Sequence, residues 1–166
     1  MKSYHEANLA LAEPNPPFEM NAAGGVIYTR MRYLAASRFD GCKLDRALVS
    51  DGCVIGEGTT ITRSVIGVRT QIGKNTKITN TVVIGIDNYE SPADKIANHH
   101  RGVPNLGIGD NCVIENAILD KDAAIGNNVR IVNAAKIKEG EGKNFVIRDG
   151  LVVIPRGAVI EEGSVI

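Results

Sequence analysis

The sequence predicts an all-β solenoid, a parallel β-helix, and three observations predict it. First, bulky aliphatics return every five or six positions, at Ile55, Ile61, Ile66, Ile72, Ile78 and Ile84. A helix would repeat its apolar residues every ~3.6 positions, and an ordinary strand would alternate over a much shorter run. Second, a small or β-branched residue stands two places before each aliphatic: Cys53, Thr59, Ser64, Thr70, Thr76 and Val82. Residues two apart on a strand share a face, so both members of each pair point into one core. Third, Gly56, Gly67, Gly73 and Gly85 follow ladder positions. Tight corners need residues that take positive φ at low cost, and Gly, Asn and Asp do so. Three such hexads wind one three-sided coil of a solenoid.

Size and composition agree with that reading. A chain of 166 residues is long enough for one domain with a core of its own. Its 19 basic and 19 acidic residues leave no net charge to draw it to nucleic acid or to an acidic membrane. Aromatics are only 4 % and Trp is absent, as suits a narrow prism filled by Ile, Val and Ala. Cys42, Cys53 and Cys112 form no CxxC pair and no zinc spacing. They read as reduced, buried thiols, and no metal site is expected. No run approaches the ~20 apolar residues of a membrane span, and the N-terminus has no signal-peptide pattern, so the cytoplasm is the expected location.

Residues 3–12 read as a short helix, with Ser3 and Glu6 forming a capping box and Pro14 ending it. So short a helix must pack on a partner, inside or outside this chain. Residues 13–25 are a Pro- and Gly-punctuated linker, and residues 26–47 read as strand pieces in which Leu44 and Leu48 begin the aliphatic ladder. This divides the chain into a helix and linker at 1–47 and a solenoid at 48–166. The period fails over residues 86–107, an excursion with a short helix expected at 93–98. It resumes at Ile108, Ile114, Leu119, Ile125 and Ile131, breaks again over 133–149, and ends at Ile154, Ile160 and Ile166. At three ladder positions per coil the prism has roughly five turns. Its end coils leave apolar core and strand edges open to association.

Several stretches narrow the reading further. YHEANLALAEP, IYTRMRYL, SVIGVR, TVVIGIDNYE, IGDNCVIENAILDKDAAIGNNVRI and VIRDGLVVIPRGAVIEEGSVI occur in that order over essentially the whole chain. Together they resemble the C-terminal portion of glucose-1-phosphate adenylyltransferase, the ADP-glucose pyrophosphorylase family, of the cyanobacterial and plant sort. The resemblance implies a left-handed β-helix, an exception to the right-handed crossover rule. It implies two domains in the complete enzyme. An N-terminal Rossmann-like domain condenses ATP with glucose 1-phosphate to ADP-glucose and pyrophosphate, and a C-terminal β-helix supports a homo-oligomer and helps form an allosteric site. The chemistry needs a Gly-rich phosphate loop and carboxylates that hold Mg²⁺ beside the triphosphate. Gly24 and Gly25 open no such loop, and no acidic pair follows an apolar strand in a nucleotide fold. ATP and Mg²⁺ therefore belong to a catalytic domain expected to be missing from this chain. The chain is expected to be inactive alone, with a nucleotidyltransferase domain or further copies of itself as partners.

In this family the effector is a phosphorylated metabolite or phosphate, held by basic groups. By resemblance Arg69 of SVIGVR, Arg156 and Arg148 match basic positions of that site, with Pro155 where relatives carry an aliphatic and Arg156 where they usually carry Lys. Ala134 stands where a family Lys is expected, and Lys136 and Lys138 lie nearby. The alternative for all five cations is a solvated exterior. A rival function rests on His99 and His100 in the first excursion: hexapeptide-repeat acyltransferases use a loop histidine as general base on the acceptor. The bland alternative is a surface loop packed against a neighbouring domain.

Overall fold

In the computed structural model, which describes every residue except 21, 23 and 29, short parallel strands stack into three files. The first face carries Phe39, Ile55, Ile72, Ile108, Ile125 and Ile160 in register. The second carries Leu44, Ile61, Ile78, Ile114 and Ile131, with Ile166 above Ile131 through the Arg130–Val165 bridge. Val49, Ile66, Val83, Leu119 and Ile154 make the third. The result is five complete coils and two faces of a sixth. Nearly every ladder aliphatic from Ile55 to Ile160 is buried in one continuous core.

The corners explain the three-sided section. Gly41, Gly58, Asn75, Asn111, Asn128 and Gly163 all take positive φ between the first and second faces. Arg46, Arg63, Asn80, Asn116 and Asn133 do so between the second and third. Gly52, Arg69, Asp122 and Gly157 do so between the third and the first. Each left-handed residue turns the chain sharply enough to start a new strand on the next face. Inside the prism, the small residues two before the ladder bind the coils together. The Thr59 hydroxyl donates to Gly73 O at 2.7 Å and accepts the Thr76 N–H at 3.1 Å. One coil further, the Thr76 hydroxyl donates to Gly109 O at 2.9 Å and accepts the Cys112 N–H at 3.0 Å. Buried polar groups are thus paired between coils. Cys53 and Cys112 are buried free thiols, and burial pushes both thiols up from their ordinary value.

Register differs from the sequence reading at two places. Val83, not Ile84, stands in the third file beneath Leu119, with Thr81 as its buried small partner. A gap of five replaces the expected six, because both Val83 and Ile84 satisfy an apolar pattern and only the corner at Asn80 decides between them. Val49, not Leu48, pairs with Ile66 for the same reason. A full coil also lies upstream of Ile55, with Phe39, Leu44 and Val49 as its ladder. Phe39 and Leu44 are 46 % and 40 % exposed, because no coil covers that end.

The N-terminal helix α1 (Lys2–Ala10) lacks the expected capping box, since Met1 is its cap residue and no side chain caps it. It docks on this chain's own prism. Leu9 is buried, His5 Nε2 lies 2.6 Å from Asn80 O, and Glu13 beyond the helix takes Arg63 at 2.6 Å. Helix α2 (Pro92–Arg101) is longer than expected and well signalled. Ser91 and Asp94 form its capping box, Pro92 opens it, and Gly102 ends it in the left-handed conformation. The second excursion folds into an antiparallel hairpin, Gly140–Glu141 with Val146–Arg148, whose second strand lies along Leu151–Ile154. Among the described residues no helix is long and apolar enough to cross a membrane.

Candidate anion site at the third corner

Stacked coils bring residues about 17 apart in sequence into contact, and the third corner gathers charge in this way. Arg69 turns that corner at φ +60. Its guanidinium donates to Ile86 O at 3.3 Å and stands 6.0 Å from the centre of the Tyr89 ring. Tyr89 is fixed in turn by donating to Gly52 O at 2.7 Å. The residue after Ile86 is Asp87. One of its oxygens accepts from Lys121 Nζ at 2.7 Å and the other from Arg156. Asp122 accepts the Asp87 N–H at 2.8 Å through one oxygen and holds Arg156 at 3.3 Å through the other. Arg32 lies near enough to add its charge to the field at Asp87.

The Lys121 ammonium bonded to Asp87 holds its carboxyl below the usual value, and the Arg156 and Arg32 charges reinforce it against a smaller opposing effect of desolvation. Its stabilising pairs are therefore present above the unfolded-state value and are lost as pH falls through the depressed folded one. In an NMR titration the Asp87 carboxyl is expected to ionise at lower pH than an ordinary aspartate. Lys121→Ala should move that midpoint up, and an unmoved midpoint would show that Lys121 is not its principal partner.

Of the sequence-derived candidates, Arg69 and Arg156 both lie along this corner, Arg69 on the Ile86 carbonyl and Arg156 on the carboxylate of the next residue, Asp87. The other three do not join them. Arg148 lies in the second-corner hairpin, where it donates to Gly140 O at 3.2 Å and Ile147 O at 3.0 Å and pairs with Glu141. It clasps the hairpin shut. Lys136 and Lys138 are exposed in the turn that enters the same hairpin. Lys121, Asp87, Asp122 and Arg32 escaped sequence reasoning, because only the coil-to-coil stacking period reveals them. His99 lines a cleft of about 500 Å³ between α2 and the first face, together with Lys95, Glu90, Gln71 and Asn127. Both Glu90 oxygens are occupied, by Asn98 Nδ2 at 2.6 Å and the Leu106 N–H at 3.0 Å. Among the described residues no carboxylate pairs with His99 or His100, and His100 lies on the exposed side of α2 away from the cleft lining.

Three aliphatic files, three corners of left-handed residues and hydroxyls stitching coil to coil define a hexapeptide-repeat parallel β-helix. Residues 32–165 match the family model described as the GLGC left-handed parallel beta-helix domain. The chain belongs to that family, the C-terminal domain of glucose-1-phosphate adenylyltransferase. The match begins six residues before the first strand, Arg38–Phe39, and so includes the coil that the hexad pattern alone left in the linker.

Proposed function

We propose that this β-helix is the regulatory and assembly part of a glucose-1-phosphate adenylyltransferase. In this reading the chemistry that joins ATP to glucose 1-phosphate resides in a nucleotidyltransferase domain outside these 166 residues, and the third corner binds phosphate or a phosphorylated metabolite. The observation that carries the reading is the gathering of Lys121 and Arg156 around Asp87 at one corner of stacked coils, with Arg69 further along the same corner. Arg156 presents a planar fork suited to two phosphate oxygens, and Lys121 supplies a compact charge. Assembly is supported by the open first coil, where Phe39 and Leu44 face solvent at the end of the prism.

Calorimetry with inorganic phosphate and with a sugar phosphate tests the anion reading. Weak binding is expected, falling at least about tenfold in the Arg69→Ala/Arg156→Ala double variant, since each lost charge-assisted contact contributes roughly 1.5–3 kcal/mol. Light scattering is expected to report an oligomer. A monomer that binds neither anion sinks the proposal. The acyltransferase reading has His99 in a cleft in its favour, but no partner orients that ring among the described residues, and the family match points elsewhere.

A further inference from the structure

The charge of the third corner is balanced from within. Asp87 takes Lys121 through one oxygen and Arg156 through the other. Its backbone N–H is anchored on Asp122 at 2.8 Å, so the main chain stays in place whatever the side chain does. The Arg156 side chain is 61 % exposed, against 30 % for Asp87 and 21 % for Asp122, which also holds it at 3.3 Å, so the guanidinium reaches further into solvent than either carboxylate. Arg69 makes no ion pair among the described residues. Its guanidinium meets a carbonyl and an aromatic ring. Asp51 and Asp120 flank the corner along the chain and, among the described residues, pair with none of these cations.

We infer that Asp87 is a built-in counter-ion that an incoming anion must displace, so that the corner accepts dianionic phosphate groups and refuses singly charged carboxylates. The inference rests on the proposed anion site and adds what sets its selectivity. A carboxylate from solution offers Lys121 and Arg156 only what Asp87 already supplies, and it also loses translational freedom on binding. A phosphate dianion brings a second charge and three strong acceptor oxygens. It can engage the Arg156 fork and Lys121 together. The Asp87 side chain then swings out to water, which costs little at a partly exposed position.

Calorimetry at about pH 8, above the second ionisation of phosphate, and at constant ionic strength, tests this with inorganic phosphate and acetate on the wild type, Asp87→Asn and Asp87→Ala. The wild type is expected to bind phosphate and to ignore acetate. Both variants should bind phosphate about threefold to thirtyfold more tightly, the worth of two exposed ion pairs no longer in competition, and should begin to bind acetate. Circular dichroism confirms that each variant is folded, and the smaller change to Asn serves if the Ala variant is not. Phosphate affinity that is unchanged or weaker in the folded variants overturns the inference while the phosphate site itself stands. Absence of phosphate binding in the wild type and in every variant removes the site and the inference together.

Discussion

Replacing Ile78 with Ala is expected to destabilise the protein by about 2–5 kcal/mol, the range for deleting a large aliphatic from a packed core. Ile78 is fully buried at 0 % exposure. It stacks between Ile61 and Ile114 in the middle of the second file, so truncation leaves a void with ladder residues above and below it. A prism of stacked coils has little freedom to close such a gap, because each coil's height is set by backbone hydrogen bonds to its neighbours. For a chain of this length the melting temperature should fall by about 4–20 °C. Ile84→Ala supplies the contrast. Ile84 is only half-buried and stands outside the file, so its loss should cost less than about 1 kcal/mol. Equal losses at the two positions, measured by chemical unfolding, would show that the register assigned to the third face is wrong.

Gly67→Ala is expected to be comparably damaging for the opposite reason, too much matter where there is no space. A methyl group built on Gly67 would lie 2.0 Å from Ile84 O and 2.4 Å from its carbonyl carbon. Both obstacles are backbone on the next coil, so no flexible side chain can move aside. Overpacking costs typically about 1–3 kcal/mol and more where the main chain must shift, and about 3 kcal/mol or more is expected here. Two residues downstream stands Arg69, so displacement of this turn should also weaken phosphate binding in calorimetry. A variant with wild-type stability and wild-type anion affinity would mean that the coils at this corner separate freely.

Most of the solenoid was legible because its physics is periodic. Ile61, Ile72 and Ile78 each had one apolar choice at the ladder position, and the coils took it. The reading slipped where two neighbours were both apolar. Val83 with Ile84, and Leu48 with Val49, are separated only by which residue turns the preceding corner. Asn80 and Arg46 do so, with φ +47 and +46, and the arginine is invisible as a corner because that conformation does not favour it. Leu44 was legible as a ladder position, whereas a spacing of five hid Phe39 inside apparent linker. Ser3 and Glu6 resembled a capping box, yet the helix begins one residue earlier, at Lys2, with Met1 as its cap. Ser91 and Asp94 form a real one. The candidate site at the third corner was half legible. Arg69 and Arg156 came from resemblance, whereas Asp87, Asp122 and Lys121 emerge only when coil is laid on coil. Arg148 looked like a ligand for anions and is occupied in pinning a hairpin.

The first excursion leaves the prism at Ile86 and returns at Gly107, yet Ile72 hands its register directly to Ile108, and Val83 hands its own to Leu119. The column behaves as though α2 had never been inserted. Lengthening such a detour adds only a slowly growing loop-closure term, so the edges of this scaffold can gain or lose whole segments without disturbing the stack beneath. New surfaces can therefore be tried at a corner while the aliphatic interior stays as it is.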